Sequence, residues 1–321
     1  AKQATGACLV KQGDTTMLDT VVVSKERKNY DFFPLTVDFN EKMYAAGRIP
    51  GGYLKREGRP SEKATLTARM IRPSFPDGFR NEVHIVATSL VADQVNPFDV
   101  INVMGASLAM TLGGVPFEGP LACVRIGRNV ETGEFIVNPT YEERENSDLD
   151  LELGGSADFI SMVEAGAEEI SEDDMLAAMK FGQEALAAFC QAQDEFVAEW
   201  EQVNGPIVKK EYPLDQPVEE VQERIFAHYD EMAAALRDAD KLSRIGKVEA
   251  LKESIRAEFT EEEQAAWERE IPVALKKLEK KAMRTMVVET GERVDGRAAD
   301  EIRPIMVKDN YLPLVHGSGL F

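Results

Sequence analysis

Cysteine is scarce in this 321-residue chain: Cys8, Cys123 and Cys190 are odd in number, far apart and without CxxC spacing. That excludes a disulfide framework and a thiolate metal site, and it fits a reducing compartment, so a cytoplasmic protein is expected. Histidine is equally sparse. His84, His228 and His316 fall in three different regions with neither HExxH nor i,i+4 ligand spacing, so each reads as an ordinary side chain rather than a metal ligand. No run of about 18 uncharged apolar residues occurs, so no helix is expected to span a membrane and no membrane partner is expected. Ala1-Lys2-Gln3 leads straight into an apolar strand-like segment, without a signal-peptide pattern. Walker A, GxGxxG and GxSxG sequences are missing too, which leaves a small-molecule α/β enzyme without support.

Positive charge is also in short supply. The chain holds 37 Lys and Arg against 57 Asp and Glu, a net charge of −20. Against that background the segment from Arg48 to Arg72 stands out. Its cations are Arg48, Lys55, Arg56, Arg59, Lys63, Arg69 and Arg72, and its acids only Glu57 and Glu62, so 7 − 2 gives +5. An acidic protein repels nucleic acid except where cations are concentrated, so a polyanion would be confined to this region. Tyr53 offers a face on which an unpaired base can stack, worth about 1–3 kcal/mol. Gly51-Gly52 lets the backbone turn tightly or approach a ligand. The other reading is a solvated loop, Gly47 to Glu62, whose cations pair with nearby acids.

The length predicts two domains or more, and 44% apolar with 29% charged residues is the composition of a globular protein. Short apolar and β-branched segments at Ala7–Val10, Met17–Val23, Leu35–Phe39 and Val83–Val91 predict strands. Val100–Leu112 predicts an apolar helix. Two strand pairs follow, Leu121–Ile126 with Phe135–Val137 and Leu149–Leu153 with Phe159–Val163. Ser171 before Glu172-Asp173-Asp174 predicts an N-cap and a helix running to about Trp200. The layout is α+β with mixed sheets, and it lacks the regular βαβ rhythm of a Rossmann fold.

Pro and Gly between Asn204 and Pro217 mark a linker. Beyond it, Val218, Val221, Ile225, Tyr229, Met232 and Leu236 fall on one helical face, and Ile245, Val248 and Ile255 predict a second helix. Thr260 with Glu263 predicts a capping box, and Pro272 the first turn of a last helix with a stripe of Ile271, Leu275, Leu278, Ala282 and Met286. These stripes predict the core of a small bundle. Something new begins at Gly291-Glu292-Arg293-Val294-Asp295-Gly296-Arg297. Thr5-Gly6-Ala7-Cys8-Leu9-Val10 shares its pattern with His316-Gly317-Ser318-Gly319-Leu320-Phe321, which suggests that a second copy of the first domain starts there.

Several motifs, in order along the whole chain, resemble the polynucleotide phosphorylase family. They are Thr5-Gly6-Ala7 with Gly13-Asp14-Thr15, Gly47-Arg48-Ile49-Pro50-Gly51 through Gly58-Arg59-Pro60, Ile71-Arg72-Pro73, Gln94-Val95-Asn96-Pro97, Asn138-Pro139-Thr140, Phe181-Gly182, Val294-Asp295-Gly296-Arg297 and His316-Gly317-Ser318. The resemblance implies a ribonuclease PH-like domain with ribosomal protein-like βαβ elements over 1–203 and a linker over 204–217. It further implies an all-α domain over 218–288 and the start of a second ribonuclease PH-like domain over 289–321. In this family KH and OB-type RNA-binding domains follow, and a homotrimeric ring forms.

The activity implied is that of an enzyme, a polyribonucleotide nucleotidyltransferase or 3′-to-5′ phosphorolytic exoribonuclease. Inorganic phosphate degrades single-stranded RNA to nucleoside diphosphates, in mRNA degradation, with Mg2+ as cofactor and an RNA-degradation complex as a further partner. The alternative is a non-catalytic, ring-forming RNA-binding module. The family's loop near the ring entrance has two phenylalanines and two arginines, where this chain has Tyr53, Leu54, Lys55 and Arg56. Those four with Arg59, Arg69 and Arg72 are the RNA-binding residues implied. Lys55 is a point charge where arginine would present a planar fork, so a weaker grip is expected.

The family's active copy has two aspartates six residues apart and a lysine two positions on. Here the corresponding residues are Arg144, Asp150 and Glu152, so this copy is expected to be catalytically silent, with no catalytic and no metal-binding residue assigned. Ligands for Mg2+ are expected outside the chain as it stands, which is expected to be inactive alone. Gly105, Ala106 and Ser107 lie where the active copy binds phosphate, and a packed helix start is expected of them. The chain is also about four residues shorter than the family pattern near Arg69 to Arg72, read as residues omitted from the sequence.

Overall fold

A computed structural model describes residues 2–27, 30, 32–51, 57–71 and 73–321. Residues 1–214 and 215–321 form two separate units. The first is built on two four-stranded sheets, each carrying a helix on one face.

The first sheet contains β1 (Gly6–Gln12), β2 (Thr15–Arg27), β3 (Leu35–Asn40) and, after α1 (Glu62–Met70), β4 (Asn81–Val91). Its order is β1-β2-β4-β3, antiparallel except for β3, which runs parallel to β4. A parallel pair needs a crossover, and α1 supplies it, making β3-α1-β4 a βαβ element. Period-two patterning fixes the buried face of β2: Thr15, Met17, Asp19, Val21 and Val23 point inward. Onto that face packs α2 (Ile101–Leu112), whose Val103, Ala106, Ala109 and Met110 join Met17, Val21, Val83 and Ile85 in one core. Gly13 makes the β1–β2 turn with φ of 58°, and a side chain there would strike Asn96 and Asp93. Asp93 pins the turn by accepting from the backbone N–H groups of Asp14 and Thr15 at 3.2 and 3.3 Å.

The second sheet contains β5 (Ala122–Asn129), β6 (Phe135–Val137) and, after the single turn α3 (Tyr141–Glu145), β7 (Ser147–Gly155) and β8 (Ile160–Ala167). It is antiparallel in the order β6-β5-β7-β8. The long helix α4 (Glu172–Asn204) begins at Ser171, whose hydroxyl accepts from the Asp174 N–H. Its Ala178, Leu186 and Cys190 close over Val124, Ile126, Leu149, Leu151 and Leu153. Removing a leucine such as Leu151 to alanine would cost about 2–5 kcal/mol.

The second unit is helical: α5 (Glu219–Phe226), α6 (Tyr229–Leu236), α7 (Lys241–Ala257), α8 (Glu261–Ala266) and α9 (Glu270–Thr290), followed by the short pair β9 (Lys308–Asp309) and β10 (Gly319–Leu320). Val221, Ile225, Met232, Leu236, Val248, Ile255 and the α9 stripe Ile271, Leu275, Leu278 and Ala282 form its core. Thr260 and Glu263 make the capping box of α8 reciprocally.

Three expectations are corrected. The segment to Glu62 is not all loop, because Ser61 caps α1 and the helix starts at Glu62. The stripe from Val218 to Leu236 belongs to two helices rather than one. The chain leaves α5 at Ala227 and His228, where the His228 ring sits between the carboxylates of Glu231 and Glu258 at 3.3 and 3.2 Å. Ile245 is half exposed on α7 and contributes little to the core that Val248 and Ile255 enter.

Candidate functional site

Two groups of charged side chains in the first unit differ in their surroundings. Tyr53, Leu54, Lys55 and Arg56, and likewise Arg72, lie outside the described residues. The flanks of that loop are built as follows. A short 3-10 helix, Met43–Ala46, ends at Gly47 in the left-handed region. Glu57 accepts from the Lys42 ammonium at 2.8 Å and the Met43 N–H at 2.9 Å. Those bonds, the one from Lys42 first, hold the Glu57 carboxyl below its usual range.

Arg48 and Arg59 line a cavity of about 550 Å3 together with Phe39, Phe98, Lys42 and Glu57. Arg69, in the last turn of α1, lines a different depression with Leu35, Val37 and Met162. All three arginines are exposed, and none has an ion pair among the described residues. Lys63 behaves otherwise. It turns inward to the Asp99 carboxylate at 3.1 Å, so one of the seven cations of the window is internally compensated.

Asp99 belongs to the second group. Its side chain is fully buried and accepts from the Arg125 guanidinium at 2.8 Å. Arg125 projects from β5 and also pairs with Asp150 and Glu152 on the neighbouring β7. Arg144, from α3, reaches the other oxygen of Asp150 at 2.8 Å. Tyr141 lies beneath both free ends of the network, with Arg144 5.8 Å and Lys63 5.9 Å from its ring centre. Three cations thus face three carboxylates. Burial by itself would raise the Asp99 pKa, but Arg125 and Lys63 outweigh it and hold the carboxyl below the usual range. Arg125 is pushed the same way: burial opposes its charge, and Asp99 and Asp150 more than restore it.

The structure therefore joins Arg144, Asp150 and Glu152, the three positions singled out in the sequence, into one cluster. It adds Lys63, Asp99 and Arg125, which the sequence reading missed. One signal was present: Arg125 is the lone charge in the predicted strand segment Leu121–Ile126, which is otherwise apolar. Glu152 is not a bare carboxylate, since Arg125 neutralises it. Ser107 corrects another expectation. It lies in the middle of α2 rather than at a helix start, fully buried, and its hydroxyl accepts from the Leu121 N–H at 2.9 Å. Gly105 is needed for close packing, because a Cβ there would come 2.0 Å from the Asp19 carboxylate. Among the described residues, no group of His, Cys, Asp and Glu forms a metal-ligand set.

Residues 1–116 match the profile of the 3′ exoribonuclease family, domain 1, and residues 119–185 that of domain 2 of the same family. Residues 219–298 match the profile named polyribonucleotide nucleotidyltransferase, RNA binding domain. The polyribonucleotide nucleotidyltransferase of Heliobacterium modesticaldum is 45% identical over 331 aligned positions, covering all of this chain and 45% of that protein. The enzyme of the same name from Enterococcus faecalis is 43% identical, with 46% of its length covered. An Archaeoglobus fulgidus exosome structure with RNA bound to the active site is 15% identical, with a TM-score of 0.48, over 61% of this chain and 85% of that one. The chain spans about half the length of the curated relatives it matches. With a ribonuclease PH-like α+β region ahead of a helical one, and this identity from end to end, the chain belongs to the polyribonucleotide nucleotidyltransferase family.

Proposed function

We propose that the whole protein is a 3′-to-5′ phosphorolytic exoribonuclease acting in mRNA degradation, and that this chain supplies its RNA-guiding and ring-building parts. A phosphate oxygen attacks the phosphorus of the terminal phosphodiester. The bond to the preceding 3′ oxygen breaks, a nucleoside diphosphate leaves, and that oxygen takes up a proton on the shortened RNA. Residues 1–203 are the first ribonuclease PH-like domain, 204–217 the linker, 218–288 the all-α domain and 289–321 the beginning of a second copy that carries the chemistry. The protein acts in the cytoplasm as a homotrimer.

The observation that carries the reading of this part is the neutralised cluster around Arg125. A phosphoryl-transfer site needs uncommitted positive charge where phosphate binds, whereas Arg125, Arg144 and Lys63 are already paired with Asp99, Asp150 and Glu152. The same pairing makes these carboxylates poor ligands for the Mg2+ that the family implies, so no step is assigned to the metal on this chain. RNA is guided instead by Tyr53, Leu54, Lys55, Arg56, Arg59, Arg69 and Arg72. Arg59 and Arg69 are exposed and have no ion pair among the described residues, which supports that role.

The test is to incubate this chain with a single-stranded oligoribonucleotide, with and without phosphate and magnesium. Salt-sensitive binding without release of nucleoside diphosphates is expected. Phosphate-dependent release from this chain would remove the assignment of silence to its first domain.

A further inference from the structure

A cavity of about 240 Å3 lies in the first unit, where the C-terminal ends of α2 and α4 meet the segment that follows α4. Thr111 comes from the last turn of α2, Val197 and Glu201 from the end of α4, and Ile207 and Lys209 from that segment. Local bonds fix the segment in place. The Ile207 N–H donates to Glu201 Oε1 at 2.7 Å, and the Lys210 N–H to the Gly114 carbonyl at 2.8 Å. Val115 and Phe117, both buried, add apolar wall. None of these residues belongs to the cation-rich loop or to the cluster around Arg125.

Gln193 is the group whose hydrogen bonding is unfinished. It lines the cavity and is only 5% exposed, and its amide nitrogen donates to the carbonyls of Leu121 and Phe189 at 2.9 and 3.4 Å. Two carbonyls on that side fix the amide's orientation, since the flipped form would set oxygen against oxygen. Gln193 Oε1 is therefore the acceptor left over, buried and without a hydrogen-bond partner among the described residues. A buried acceptor in that state costs stability until a donor reaches it. Two carboxylates line the same cavity. Glu201 spends one oxygen on Ile207, and the Asp194 side chain has neither hydrogen bond nor ion pair among the described residues.

The helix ends add a field of the same sign. A helix carries partial negative charge at its C-terminus, and neither α2 nor α4 has a basic residue in its last turn. Lys209 is the one cation among the described residues that line the cavity. Two carboxylates, an amide oxygen and two helix ends thus outweigh a single ammonium. The volume is below the roughly 300–1,000 Å3 of sites for drug-sized ligands, which suits a molecule of few heavy atoms. Apolar walls disfavour a bare hydrated ion, and no metal-ligand set occurs among the described residues.

We infer that this cavity binds a small aliphatic amine, whose ammonium N–H groups are shared among Gln193 Oε1, Asp194 and Glu201 and whose methylenes lie against Val115, Phe117 and Val197. The site goes beyond the proposed function and does not rest on it.

The experiment titrates 1,4-diaminobutane into this chain by isothermal calorimetry at fixed ionic strength, beside 1,4-butanediol, which has the same carbon chain without charge. Saturable binding of one diamine, and none of the diol, is expected. Asp194→Asn should weaken binding about tenfold or more, the loss of one charged hydrogen bond. That variant keeps the fold, because the side chain is exposed and makes no bond among the described residues. Val197→Phe, which fills the cavity, should abolish binding. Glu184→Gln with Glu199→Gln neutralises two exposed acids of α4 outside the cavity and should leave affinity unchanged. Equal affinity of the parent and Asp194→Asn would overturn the proposal. So would an equal loss in the Glu184, Glu199 variant, which would assign the amine to the diffuse field of an acidic chain. A parent that binds neither compound, or the diol as well as the diamine, would leave Gln193 Oε1 to a buried water and overturn the site.

Discussion

The arginines at the cation-rich loop and those in the cluster around Asp99 lie on the same unit, yet their surroundings give them opposite duties. Arg48, Arg59 and Arg69 are exposed and have no counter-ion among the described residues, whereas Arg125 and Arg144 share Asp99, Asp150 and Glu152. Charge count does not separate the two groups; burial and pairing do. A desolvated guanidinium must find carboxylates or be expelled, so Arg125 is committed to the fold. A hydrated one pays no such cost and keeps its charge available to a strand of phosphates.

Breaking the buried group should have the largest effect. Arg125→Met leaves Asp99 and Glu152 without their shared partner inside the protein, and a loss of about 3–5 kcal/mol is expected in urea unfolding of the first unit. Replacing Arg125, Asp99 and Glu152 together by apolar residues of similar volume should instead be neutral or stabilising by about 1–4 kcal/mol. If the single variant were as stable as the parent, the cluster would not be holding β5 to β7. Its pH dependence has a definite sign. Asp99 is held below its unfolded value of about 3.9, so its stabilisation is present above that pH and disappears as pH falls through the folded value.

Asp19 sharpens the comparison from the other side, as a buried carboxyl on the face of β2 that meets α2. Among the described residues neither of its oxygens has a hydrogen-bond partner and no cation pairs with it. Cys8 of β1 is the titratable group opposite it, with its own thiol pushed up to about 11 by burial first and by Asp19 second. Burial raises Asp19 well above the carboxylate range. Its contribution is therefore complete below about pH 3.9 and is lost as pH rises through the folded value, the reverse of Asp99. Asp19→Leu should stabilise the unit by about 1–3 kcal/mol at neutral pH, and Asp19→Asn should remove this falling limb. Urea midpoints measured from about pH 4 to about pH 9 check both. A parent protein whose stability does not decline over that range would exclude a neutral acid at this position.

Elements with strong patterning were legible in the chain. The alternation of β2, the Ser171 cap and the stripe of α9 each predict their element because one local rule dominates. Helix α1 was not legible, since Gly58 and Pro60 just before it read as loop and its apolar periodicity is weak. The break at His228 was hidden for a different reason. The helical period runs on through both α5 and α6, and the ring's carboxylate partners are 3 and 30 residues away. At the site, Arg144, Asp150 and Glu152 were identified by position, but Asp99 and Lys63 come from other elements, and nothing local couples them. Asp19 carries the same lesson. Its place in the β2 alternation marks it as inward, yet an inward acid without a partner contradicts the pattern that places it there.

The smallest effect distinguishes two cations on one helix. Lys63 and Arg69 both lie on α1 and both count towards the +5 of the sequence window, but among the described residues only Lys63 of the two has a carboxylate partner. Lys63→Gln should cost about 1 kcal/mol or less, because its pair with Asp99 is open to water at the lysine end. It should leave the salt dependence of RNA binding unchanged. Arg69→Gln should move stability by no more than about 0.5 kcal/mol and lower the salt slope by about 0.7. A paired ammonium releases no counter-ion when RNA arrives, whereas a free guanidinium does. Equal slopes for the two variants would mean that pairing in the folded chain does not decide which cations face the RNA, and the distinction between the two regions would then rest on stability alone.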